Sequence, residues 1–83
     1  MPKSNNVMQR AIVLVNLAPG TEEETIASIR GMEGMVAVYQ VYGLYDALLI
    51  VEGADEQSIK SIISGRLRSN KNISSTITMK VMT

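Results

Sequence analysis

The sequence predicts an α+β fold: a ferredoxin-like βαββαβ sandwich, dimeric through its sheets as an α+β barrel. Three observations carry that prediction. Strand and helix signals alternate as strand-helix-strand, twice over. The two halves each run about 35 residues, the scale of one βαβ unit. Two segments, AIVLVNL from Ala11 and DALLIVE from Asp46, are apolar at nearly every position, as strands buried on both faces are.

Residues 1–9 are mostly polar, with Pro2 and the Asn5-Asn6 pair, and are expected to form a disordered tail ahead of a domain spanning 10–83. The run AIVLVNL predicts a first strand, stopped by the turn pair Pro19-Gly20. Thr21 with Glu24 three residues later predicts a capping box that opens a helix. Glu22, Glu23 and Glu24 favour the positive end of its dipole. Ile26 and Ile29 give this helix an apolar stripe, and Gly31 offers a stop. Gly34 leads into VAVYQVY, a second strand ended by Gly43, and DALLIVE follows as a third. Asp55, after Gly53, can cap a second helix whose Ile59, Ile62, Ile63 and Leu67 share a face. Gly65 weakens its last turn. A polar loop over 69–72 precedes ISSTITMKVM, which alternates Ile73, Ile77, Met79 and Val81 against Ser74, Thr76, Thr78 and Lys80. In this topology the first and third strands are central and the other two are edges.

Composition narrows the function. Eight basic and eight acidic side chains cancel, which argues against a chain that grips nucleic acid or an anionic membrane unaided. With no Cys and no His, disulfides, thiol catalysis and the usual metal ligands and general base are excluded, so no metal or cofactor is expected. The apolar runs are too short to span a bilayer, and the start lacks the apolar core of a signal peptide. A cytoplasmic domain is expected. At 83 residues the core alone supplies little net stability, and oligomerisation is the staple that remains. Helices cover one sheet face, so the apolar residues on the other need a partner sheet.

Candidate functional residues cluster in the second hairpin. A turn containing Gly43 can present several backbone N–H groups, and Asp46 beside it can hold an ammonium or simply brace the turn. Thr76 and Thr78 share one face of the last strand, where β-branched residues also occur for packing alone. Tyr39, Tyr42 and Tyr45 suit a pocket or a subunit contact. All eight acids lie between Glu22 and Glu56, and Lys60, Arg66, Arg68, Lys71 and Lys80 follow without one. Cations near a helix C-terminus explain that pattern more simply than docking does.

The segment Val41-Tyr42-Gly43-Leu44-Tyr45-Asp46, running into Ala47-Leu48-Leu49-Ile50-Val51, resembles the V-x-G-x-(aromatic)-D signature of the Lrp/AsnC ligand-sensing (RAM) domain. Ile73-Ser74-Ser75-Thr76-Ile77-Thr78 resembles the V-x-x-T-x-T pattern of that family's last strand, and Met35 falls where its second strand opens. The resemblance implies a non-enzymatic amino-acid-sensing oligomerisation domain. It implies ligand contacts from Gly43, Leu44, Tyr45 and Asp46, with Tyr42, Thr76 and Thr78 nearby. It further implies dimers joined into an octamer or decamer, with full-length Lrp/AsnC regulators as partners. The family's usual helix-turn-helix finds no counterpart in the nine residues before the first strand, so a stand-alone form without direct DNA binding is expected. Tyr42 stands where the family often has Thr or Ser. Two other readings remain open on the residues alone: an ACT-like small-molecule module, and a dimeric α+β barrel enzyme. The enzyme would need its base from Asp46, Glu33, Glu52 or a Tyr, and no paired constellation is visible.

Overall fold

Burial alternates along the first strand, β1 (Gln9–Leu17), and that alternation sets the architecture. Ala11, Val13, Val15 and Leu17 are buried, whereas Ile12 and Leu14 on the other face are only half-buried. The structure, a computed structural model, describes residues 8–82. After β1 come α1 (Glu22–Arg30), β2 (Met35–Gln40), β3 (Ala47–Gly53), α2 (Glu56–Ile62), a π-helical turn (Ile63–Leu67) and β4 (Ile73–Lys80). Of the expected tail, residues 1–7 lie outside the described residues, and Gln9 already belongs to β1.

The four strands form one antiparallel sheet in the order β2-β3-β1-β4, so the two apolar strands are central as expected. Val13, Val15, Leu49 and Val51 face the helices and join Ile26 and Ile29 of α1 with Ile59, Ile63 and Leu67. Each such side chain, fully buried, contributes roughly 1.5–3 kcal/mol. Gly53 allows this approach, because a Cβ there would lie 3.0 Å from the Ser58 Cβ and 3.1 Å from Ile59 Cγ1.

The opposite face has no cover within the chain. Leu14 pairs across the ladders with Leu48 and Ile77, Ile12 with Ile50 and Met79, and Leu48 with Tyr39. Directly paired residues share a face, so these seven form a continuous apolar stripe. Tyr39, Ile77 and Met79 in it are exposed.

Several local expectations need correction. The capping box does not form: Thr21 makes no side-chain cap to α1. Its hydroxyl donates instead to the Ala18 carbonyl at 2.7 Å, inside a tight turn in which the Thr21 N–H donates to the same atom. Glu22, not Glu24, reaches back and accepts from the Gly20 N–H at 3.0 Å. Gly31 does end α1, in a right-handed conformation. Asp55 does cap α2, its Oδ1 accepting from the Ser58 N–H at 2.8 Å and hydroxyl at 2.9 Å. The helix then widens after Ile62, where Arg68 N–H donates to the Ile63 carbonyl five residues back. β2 ends at Gln40, not Tyr42, and β4 at Lys80, not Met82. Register shifts leave Val36 unpaired on β2 and Ser74 unpaired on β4. No helix among the described residues is long and apolar enough to cross a membrane.

Candidate functional site

The turn between β2 and β3 is closed by one bond, from the Val41 N–H to the Asp46 carbonyl at 3.0 Å. Gly43 within it has φ +122°, a conformation that side-chain-bearing residues rarely adopt. Asp46 fixes the turn to β1 twice. Its N–H donates to the Val15 carbonyl at 2.9 Å, and its Oδ2 accepts from the Leu17 N–H at 2.7 Å. The bracing role that the sequence left open for Asp46 is therefore occupied. Its Oδ1 makes no hydrogen bond among the described residues.

The rest of the turn faces outward. Tyr42 and Leu44 are fully or almost fully exposed, at 105% and 87%, while Tyr45 is half-buried. The tip therefore pairs a braced base with open side chains.

One residue missed in the sequence joins this turn to the far edge of the sheet. Asn16 donates from Nδ2 to the Leu44 carbonyl at 2.8 Å, and its Oδ1 accepts from the Ser75 hydroxyl at 2.7 Å. Its signal was legible: it is the one polar residue in AIVLVNL.

Thr76 and Thr78 pair with Val15 and Val13, which puts them on the helix-covered side of the sheet. Ser75, paired with Asn16, is on the open side with the turn. Thr76 is half-buried, and its Oγ1 accepts from Arg68 Nε at 3.4 Å. Thr78 is exposed on the same side. One chain thus brings Gly43, Leu44, Tyr45 and Asp46 together with Asn16 and Ser75, and leaves Thr76 and Thr78 across the sheet. A shallow notch of about 360 Å³ lies against Arg68, Ile73, Ser74, Ser75 and Thr76. Another cleft, of about 530 Å³, sits at the other end of the sheet among Gly34, Glu52, Gly53, Ile62 and Arg66. Neither is lined by the turn.

Charge at that other end is locally paired. Arg10 and Glu52 form an ion pair at 2.6 Å across β1 and β3, and Lys80 pairs with Glu56. The Ser58 N–H, followed by its hydroxyl, holds the Asp55 carboxyl below its ordinary range, and the Lys80 hydrogen bond does the same for Glu56. Among the described residues, no three Asp or Glu side chains gather as a metal site.

Solved structures similar to this one share the whole architecture. A protein solved under the name FFRP-DM1 is 28% identical with a TM-score of 0.86, over 89% of this chain and 99% of that one. A hypothetical protein from Pyrococcus horikoshii is 27% identical with a TM-score of 0.84, over 93% and 92%. A transcriptional regulator from Neisseria meningitidis, solved as a complex with L-Met, has the same fold at 18% identity and a TM-score of 0.83. It covers 90% of this chain, which spans only 50% of that regulator. No curated protein matches the sequence. The sequence model of the Lrp/AsnC ligand binding domain matches residues 10–83, from the second residue of β1 to the end of the chain. With that match over nearly its whole length, and with the hairpin and sheet described above, the chain belongs to the Lrp/AsnC ligand binding domain family.

Proposed function

We propose that this chain is a non-enzymatic amino-acid-sensing domain that assembles through its open sheet face. Two copies bury the stripe of Leu14, Leu48 and Ile77 against each other. A free amino acid then occupies the Gly43–Asp46 turn, where a neighbouring dimer completes the pocket and supplies Thr76 and Thr78. The observation that carries this reading is the turn's combination of a braced base and a bare tip: Asp46 is tied to β1, yet Tyr42 and Leu44 are almost wholly exposed. Such a surface is half of a site. The unpaired Asp46 oxygen suits an ammonium, and backbone N–H groups of the turn suit a carboxylate. Desolvating a zwitterion is costly unless both ends are met, and this turn offers both. The L-Met complex of the Neisseria meningitidis regulator supports an amino acid as the ligand class. Family regulators carrying their own DNA-binding parts are the natural protein partners, since the neutral chain has no basic stripe for DNA.

Titration calorimetry across the twenty amino acids tests the proposal. At least one should bind, and Asp46→Asn, which keeps an acceptor but removes the charge, should weaken it by about 2 kcal/mol, roughly thirtyfold. Failure of every amino acid to bind the unaltered chain overturns it.

A further inference from the structure

The turn is not held by its own residues alone. Asn16 follows Ile12 and Leu14 along β1 and forms the polar end of the apolar stripe. It reaches the Leu44 carbonyl, 28 residues on, and the Ser75 hydroxyl, 59 residues on. Its own backbone carbonyl also accepts from the Ser74 hydroxyl at 3.3 Å. Ser74 is the residue left unpaired by the register shift in β4, so Asn16 sits where that strand departs from regular pairing.

We propose that Asn16 is the positioning residue of the hairpin site, holding the Leu44 carbonyl and Ser75 so that turn and edge strand move as one unit. This rests on the hairpin reading given under Proposed function. The chemistry is specific to a carboxamide. Asn presents a donor and an acceptor in one rigid plane, and here each is used in an opposite direction. Asp would keep the acceptor and lose the donor; Ala would lose both. Leu44 is otherwise exposed, so its carbonyl direction, and with it the direction of the turn's N–H groups, depends on this bond.

The consequence for regulation is direct. Ile12 and Leu14 lie on the face that meets a second copy, and Asn16 continues the same strand. A ligand that shifts Leu44 therefore pulls on Ser75 and on the rim of the assembly face together. The turn and the start of β4 are coupled through one side chain.

Amide hydrogen exchange on the full chain decides this, read on segments 41–46 and 73–77 in four proteins: unaltered, Asn16→Ala, Asn16→Asp and Ser75→Ala. Loss of one hydrogen bond's net contribution corresponds to about tenfold faster exchange. Asn16→Ala should speed both segments by that factor and leave α2 unchanged. Asn16→Asp should speed only 41–46, and Ser75→Ala only 73–77. The amino acid that binds the unaltered chain should bind both Asn16 variants about tenfold more weakly, at unchanged oligomer mass. Unaltered exchange over 41–46 in both Asn16 variants overturns the inference. So does full affinity in Asn16→Asp with a loosened turn. If no amino acid binds the unaltered chain, the sensing proposal falls while the exchange pattern still judges Asn16.

Discussion

The backbone N–H of Leu17 donates to Oδ2 of Asp46 at 2.7 Å, tying the end of β1 to the start of β3. Leu17 is buried, and this bond to Asp46 is itself partly buried. Asp46→Ala should therefore destabilise the fold by about 1–3 kcal/mol, the cost of an orphaned buried donor. Asp46→Asn should recover most of that loss, because its carbonyl can still accept. Urea denaturation of the two variants separates the bracing role from the charge. Equal stability of Asp46→Ala and the unaltered chain contradicts the assignment.

Leu14 lies between Leu48 and Ile77 on the open face, away from the helices. Leu14→Asp should leave the helix-covered core intact but place a charge at the centre of the proposed contact. A penalty of about 3 kcal/mol raises the dissociation constant roughly a hundredfold. Light scattering at micromolar concentration should then report single chains. An unchanged mass would mean that association uses another surface.

Thr25 is 2% exposed, and its Oγ1 has no hydrogen-bond partner among the described residues. Thr25→Val removes the hydroxyl at nearly constant shape and should stabilise the domain by about 1 kcal/mol. Thermal denaturation gives the sign. A clear loss of stability would reveal a partner for that hydroxyl.

Acid should weaken the N-terminus of α2. Asp55 and Glu56 both have folded-state pKa values lowered, by Ser58 and Lys80 respectively. A lowered folded pKa means that the contribution is fully present above the ordinary carboxylate range. It is lost as pH falls below that range, through the folded values. Asp55→Asn keeps a competent cap but should flatten the acid limb of a Tm-against-pH curve. An unchanged acid limb in that variant would assign the loss to other carboxylates.

Much of this was legible in sequence, and the particulars show why. The two-sided apolarity of AIVLVNL and DALLIVE located the central strands, because strands with neighbours on both sides stay half-buried even on the face away from the helices, whereas Tyr39, Ile77 and Met79 on the edge strands are exposed. Asp55 after Gly53 declared the cap of α2. Thr21 misled, since the Pro19-Gly20 turn puts the Ala18 carbonyl within reach of its hydroxyl before any helix N–H. Alternation in ISSTITMKVM separated Ser75 from Thr76 and Thr78, but no local signal said which set faces the helices. Only the pairing with Val13 and Val15 decides that. The turn's geometry was readable in Gly43 and Asp46, whereas its support by Asn16 spans contacts too distant in sequence for any spacing rule.

Both outer strands are irregular close to where they begin: Val36 interrupts the pairing of β2, and Ser74 that of β4. Edge strands with such kinks make poor templates for a further strand. Growth by ribbon-like addition, the route to filaments and insoluble aggregates, is therefore discouraged at both margins. The broadest apolar surface of this chain is instead the open side of the sheet, which a single partner would saturate in the proposed pairing.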